Sequence, residues 1–334
     1  MANSVIRLNS AELAETAALG VALTDAEIAT KLEAGPVGLN AKGSVSVSGV
    51  CVDYSGNIYV SDLDNHIILK IEEGGKTSVL AGKSGVAGDN GTLTNVAALD
   101  ARFNSPVGLA CDKSGNVYVA DSGNHQIRVI RNGRVSHLAG VAGSAGFTNG
   151  GGSTAEFDTP WDIDVTPSGV IYVADSGNHS IRKIVDGTVS TFAGNAAGDK
   201  EDVAASAGDI FDAPLGVAVD PNGNIYVCDT GNYKIKKIAP RGWVYRHSGS
   251  GVQGKSLGTT AFDCEYNNLR HSSVDRSGNL YVVDANTANG TRLLRVSEIG
   301  IPATINDLDG STYNDDASAV AVSPAGKLFV VVFD

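Results

Sequence analysis

One phrase recurs along this chain, an apolar run closing on aspartate: Ile58–Asp62, Val117–Asp121, Ile171–Asp175, Ile225–Asp229 and Leu280–Asp284, with a worn sixth copy at Leu328–Asp334. The closing aspartates are 59, 54, 54, 55 and 50 residues apart, by subtraction of 62, 121, 175, 229, 284 and 334. A module of that length cannot bury its own apolar faces. It must stack on its neighbours, which restricts the chain to a propeller or a solenoid.

The second repeat shows which of the two. Pro106–Asp112 reads as a short apolar strand, and Lys113–Asn116 as a tight turn in which Gly115 can take positive φ. Val117–Ala120 is β-branched and aromatic, as strands prefer. Asp121–His125 is the next turn, and Gln126–Ile130 alternates polar and apolar residues, predicting a third strand with one wet face. Asn132-Gly133 is a hairpin signal, and Val135–Leu138 supplies a fourth strand. Four antiparallel strands joined by short turns make one propeller blade.

The turn phrase is Asp121-Ser122-Gly123-Asn124-His125, and it returns as Asp175–His179 and, with tyrosine last, as Asp229–Tyr233. Together with the preceding Gly-Asn-Val-Tyr-Val-Ala and the following Leu-Ala-Gly or Phe-Ala-Gly, it resembles the NHL repeat over residues 47–334. The Gly-rich stretches ending in Phe103–Pro106, Phe157–Pro160 and Phe211–Pro214 resemble the bacterial and phage type of these repeats. The resemblance implies an all-β, six-bladed β-propeller. It leaves function open, because the family includes protein-binding, RNA-binding, sensor and enzymatic members.

The sixth repeat holds only two strands. An unpaired sheet edge is a liability, and Asn3–Leu8 reads like the third-strand phrase at Asn178–Lys183. The expectation is that the N-terminal strand closes the ring. Ser10–Gly20 and Thr24–Gly35 carry helix caps and stops, so residues 1–42 are expected to form a closing strand plus two short helices, a capping or docking arm, and 43–334 the propeller.

Strand order places the Asp–His turns and the long connections 81–102, 140–156, 194–210 and 249–265 on one rim, and long loops are where binding concentrates. Asp89, Asn90, Phe147, Asn149, Asp199, Glu201, Asp202 and Tyr233 are the candidate binding residues there. His66, His125 and His179 are read as structural, each hydrogen-bonding within its own blade. No cofactor is called for; Ca²⁺ in the acidic loops around Asp89 and Asp199–Asp202 is the lesser reading.

A net charge of −12 disfavours nucleic acid. No signal peptide or membrane span is visible, so a cytoplasmic protein is expected, or a virion component if phage-encoded. Cys51, Cys111, Cys228 and Cys264 show no CxxC spacing and read as buried thiols in a reducing compartment. The expected function is a non-enzymatic platform for protein partners or assembly subunits. The alternative is a metal-dependent lyase or hydrolase over the channel, where Asp162 and Asp164 lie on one first strand without a matching set elsewhere. RNA binding ranks last.

Overall fold

The computed structural model describes residues 4–8, 47–72, 76–90, 95–285, 291–305 and 317–333. Five complete antiparallel blades follow one another along the chain. The second strands, Ile58–Asp62, Val117–Asp121, Ile171–Asp175, Ile225–Asp229 and Leu280–Asp284, are the recurring phrases themselves. Each pairs inward with a first strand: Val47–Val52, Pro106–Cys111, Pro160–Val165, Gly216–Val219 and Leu269–Val274. The only helices among the described residues are single 3-10 turns, such as Ser122–Asn124.

The count of six blades is corrected to five complete ones. The sixth sheet has three strands, in the order Ser4–Leu8, Leu328–Phe333, Ala317–Val322. Ser4–Leu8 does lie against the last strand of the chain, but parallel to it, whereas a third blade strand would run antiparallel. Among the described residues the C-terminal repeat contributes one hairpin, and this sheet shows neither the strand order nor the fourth strand of a complete blade. Even so, first strands pack in a ring, Ala317–Val322 lying against both Leu269–Val274 and Val47–Val52. The two expected helices, and most of the 1–42 arm, lie outside the described residues.

The core sits between blades. Tyr118, Ala120 and Ile127 of blade 2 meet Ile163, Val173 and Ile184 of blade 3, and Val50, Val60 and Leu69 of blade 1 meet Ala319, Phe329 and Val331. Burying each such side chain contributes roughly 1.5–3 kcal/mol. This is why the module is stable only in company.

Two expectations fail here. The polar face of the third strand is dry: Gln126, Arg128, Arg182 and Lys236 are all 0 % exposed. Cys51 and Cys111 are joined by a disulfide with Cα atoms 6.0 Å apart, within the ordinary bridging range, and only Cys228 and Cys264 are free. The bridge ties the first strands of blades 1 and 2 side by side, which periodicity alone does not reveal.

Candidate functional site

In four of the five complete blades the repeat aspartate anchors a cation. Asp175 accepts the Asp158 backbone N–H (2.7 Å), the Asn178 side-chain amide (2.9 Å) and Arg182 Nη1 (2.8 Å). The guanidinium also lies over Phe157, at 5.2 Å from the ring centroid. Asp121–Arg128, Asp229–Lys236 and Asp284–Arg292 repeat the pairing. In blades 2, 3 and 4 cation, aromatic and aspartate thus form one desolvated unit, and the pairing is what allows charges into the interior.

The signature histidines work between blades, which corrects the within-blade reading. His66, His125 and His179 sit at φ 58°, 55° and 51°, left-handed positions at the end of the turn. There Nδ1 accepts the backbone N–H of Ser105 (3.1 Å), Thr159 (3.0 Å) and Ala213 (3.0 Å) on the entry to the next blade. An acceptor Nδ1 requires the neutral ring, and burial lowers the His66 pKa in keeping with that role.

Three of the four long connections are edge covers rather than free loops. Val96–Ala97, Gly150–Gly151 and Val203–Ala204 each add a short fifth strand outside the fourth strand of the blade they lead into. Ala98 N donates to Gly133 O and Ala205 N to Gly242 O, so the chain descends to the opposite rim before returning through Phe-x-x-Pro. Blunting an exposed edge in this way prevents edge-to-edge pairing.

Most of the nominated binding residues serve as tethers in these covers. Asn149 Oδ1 accepts Arg182 Nη2 (2.7 Å), and Phe147 lies against the same guanidinium at 4.8 Å. Asp199 contacts Lys234 (2.5 Å) and Lys236 (3.0 Å); Glu201 contacts Lys234 (2.7 Å) and Arg246 (3.3 Å). Asn90 Oδ1 accepts Arg102 N (2.6 Å), and Tyr233 takes the left-handed turn position of the histidines. Asp202 also holds a left-handed backbone, φ 54°. Asp89 contributes to the charge environment of Asp121 and Arg128. The structure brings Asp199 and Glu201 together around Lys234 but does not gather the eight into one site.

A cavity of about 210 Å³ opens instead at the channel mouth on the opposite rim, among the tight turns. The first-strand positions Gly49, Gly108, Asp162, Gly216, His271 and Ala319 correspond, and four of the six are small. Gly216 is the residue between Asp162 and His271 around the ring: a Cβ there would lie 2.9 Å from Cys228 Sγ and 3.1 Å from Ser272 Oγ. Across it, His271 Nε2 lies 3.5 Å from Asp162 Oδ1.

The channel carboxylates accept backbone donors of the next blade. Asp162 Oδ2 accepts Val217 N (3.1 Å) and Asp164 Oδ2 accepts Val219 N (2.7 Å), as Ser273 Oγ accepts Val322 N (2.9 Å). First strands end their sheets, so these side chains stand in for a missing strand partner. Burial pushes Asp162 up to about 8 and Asp164 to about 7, and holds His271 down at about 4. Shifts of this kind beside a cavity mark functional-site candidates. The sequence carried one signal for His271: it stands at a first-strand position that is glycine or alanine in four of the six repeats.

The family model described as the Teneurin NHL domain matches residues 37–185, and the NHL repeat model matches residues 211–238. The chain is an NHL-repeat protein. NHL repeat-containing protein 2 from Homo sapiens is 24 % identical over 86 % of this chain and 44 % of its own length. Protein SUPPRESSOR OF QUENCHING 1, chloroplastic, from Arabidopsis thaliana is 32 % identical over 42 % of this chain and 14 % of its own length. The NHL chain therefore spans less than half the length of these curated relatives.

Solved structures show the same all-β propeller. A gluconolactonase from Xanthomonas campestris superposes with TM-score 0.59 at 18 % identity, covering 86 % of this chain and 84 % of that one. A virginiamycin B lyase from Staphylococcus aureus gives 0.53 at 14 %, covering 86 % and 78 %. A chain of a nidogen/laminin complex gives 0.55 at 15 %, covering 87 % and 86 %. At these identities the likeness shows the fold. Among the described residues, no helix is long and apolar enough to cross a membrane.

Proposed function

We propose that this NHL propeller is a protein-interaction platform whose contact surface is the outer edge of blades 4 and 5. The observation that carries the reading is a row of exposed apolar side chains there: Trp243 (46 %), Tyr245 (42 %), Phe262 (49 %), Ile299 (73 %) and Ile301 (41 %). Trp243 and Tyr245 share one face of the strand Trp243–Ser248. The turn bearing Ile299 and Ile301 abuts that strand, because a Cβ on Gly300 would collide with the His247 carbonyl. Phe262 lies over Arg246 at 4.5 Å. Among the described residues no fifth strand covers Pro302–Thr304, unlike blades 2, 3 and 4. Aromatic side chains beside an arginine are the composition of interface anchors, and a protein ligand can present both apolar side chains and backbone to an open edge.

Relatives from human and plant sources lend nothing to membership of a phage particle, and residues 1–42 as a docking arm remain an expectation. A second reading, an enzyme acting over the channel, draws support from the Asp162–His271 pair beside the cavity, two groups whose protonation burial sets in opposite senses.

The test is site-specific photo-crosslinking in cells, with a photoreactive phenylalanine analogue at position 243 and a control at position 147. The expected result is a discrete adduct to one protein from 243 only, abolished by I299D/I301D with the fold intact. Equal labelling from both positions, or an adduct insensitive to I299D/I301D, would overturn the reading.

A further inference from the structure

Two carboxylates at the channel mouth, Asp162 and Asp164, lack the basic partner that four repeat aspartates have, and we infer that the mouth binds a primary ammonium group carried on a small apolar body. Four buried repeat aspartates each have a cation: Asp121 with Arg128, Asp175 with Arg182, Asp229 with Lys236 and Asp284 with Arg292. Asp162 and Asp164 have none among the described residues. They accept backbone N–H groups only, and their one chargeable neighbour in the ion-pair geometry is His271 at 3.5 Å. A buried carboxylate without a counter-charge is costly and favours either protonation or an incoming cation.

His271 supplies an independent indication. It is 5 % exposed and lines the cavity; neither ring nitrogen makes a hydrogen bond of good geometry, with the Val320 backbone close enough to act as a partner. Buried polar atoms in native proteins are nearly always satisfied, so an imidazole without a good hydrogen bond facing a cavity calls for a ligand. Ser272 Oγ, 5 % exposed in the same wall, has the buried Cys228 thiol as its neighbour. Burial keeps His271 neutral at pH 7, which makes it an acceptor rather than a competing cation.

The chemistry of the ligand follows from the donor count. Asp162, Asp164 and His271 offer acceptors, and a primary ammonium carries three N–H donors and a positive charge. Val50, Leu109, Val165, Val217 and Val219 form the aliphatic part of the wall, and the turn residues Asp220, Asp275 and Arg276 also line it, leaving it acidic in balance. At about 210 Å³ the space is smaller than the ~300–1,000 Å³ of drug-sized sites, which suits a ligand of few carbons.

The experiment is isothermal titration of the full chain at pH 7.5 with n-butylamine hydrochloride, 1-butanol and CaCl₂ in separate arms. The inference expects saturable one-to-one binding of butylammonium, at least tenfold weaker binding of butanol, and at least a tenfold loss in Asp164→Asn. That variant keeps an oxygen to accept Val219 N, so its melting transition should match the parent. Equal affinity for amine and alcohol, no binding of either, wild-type affinity in Asp164→Asn, or binding of Ca²⁺ without butylammonium would each overturn it. Asp162→Asn provides a second variant, and if it fails to fold the amine-to-alcohol ratio and Asp164→Asn still decide.

Discussion

Replacing Asp175 with alanine should lower the unfolding free energy by about 3–5 kcal/mol, the cost of stranding one half of a buried ion pair. Arg182 has 0 % side-chain exposure and would lose its counter-ion, and the Asp158 backbone N–H would lose its acceptor. The guanidinium keeps the Glu156 and Thr148 carbonyls and Asn149, so the charge stays trapped rather than escaping to water. Exposed ion pairs on this protein should behave otherwise: Lys200–Asp209, with both side chains 51 % exposed, is expected to contribute under about 1 kcal/mol. Urea unfolding of Asp175→Ala and Asp209→Ala side by side checks the contrast. Similar losses in the two would mean that the blade unit is not the stabilising element described.

Reduction of the Cys51–Cys111 bridge should cost roughly 4 kcal/mol on the chain-entropy estimate for a loop of this size. The bridge spans a sequence separation of 60 and joins the first strands of two blades. Thiol labelling in denaturant is expected to modify two cysteines, Cys228 and Cys264, before reduction and four after it. Folded protein should leave Cys228 unlabelled, because it is fully buried and its thiol is pushed well up by desolvation. The Cys51→Ser/Cys111→Ser variant should show the lower stability with and without reductant. Four labelled thiols without reductant would remove the bridge and return these residues to the reduced state read from their spacing.

The repeat, the four-stranded blade and the placement of the signature turns were legible in the sequence because each rests on local pattern. Period-two alternation, Gly-Asn turns and the Asp–His phrase all act within a few residues. What escaped is relational. Arg128 alternates like a surface residue, yet the neighbouring Phe103 and Asp121 enclose it, and no window along one strand contains all three. Gly-rich connections look like free loops because their pairing partners, such as Val135 for Val96, lie some 40 residues on. The Asp162–His271 pair spans two blades across Gly216, so it exists only once the ring is closed.

The central claim is that the connections into blades 2, 3 and 4 are part of the sheets and that recognition lies at the blade 4–5 edge and the channel mouth. Amide hydrogen exchange on the native full chain tests this most directly. The backbone donors of Gly140, Gly146, Ala155 and Gly198, each bonded within or beneath a connection, should exchange as slowly as the outer strands Arg134–Ala139 and Thr188–Ala193. Exchange of residues 140–156 and 194–210 at the rate of unstructured peptide would contradict the account.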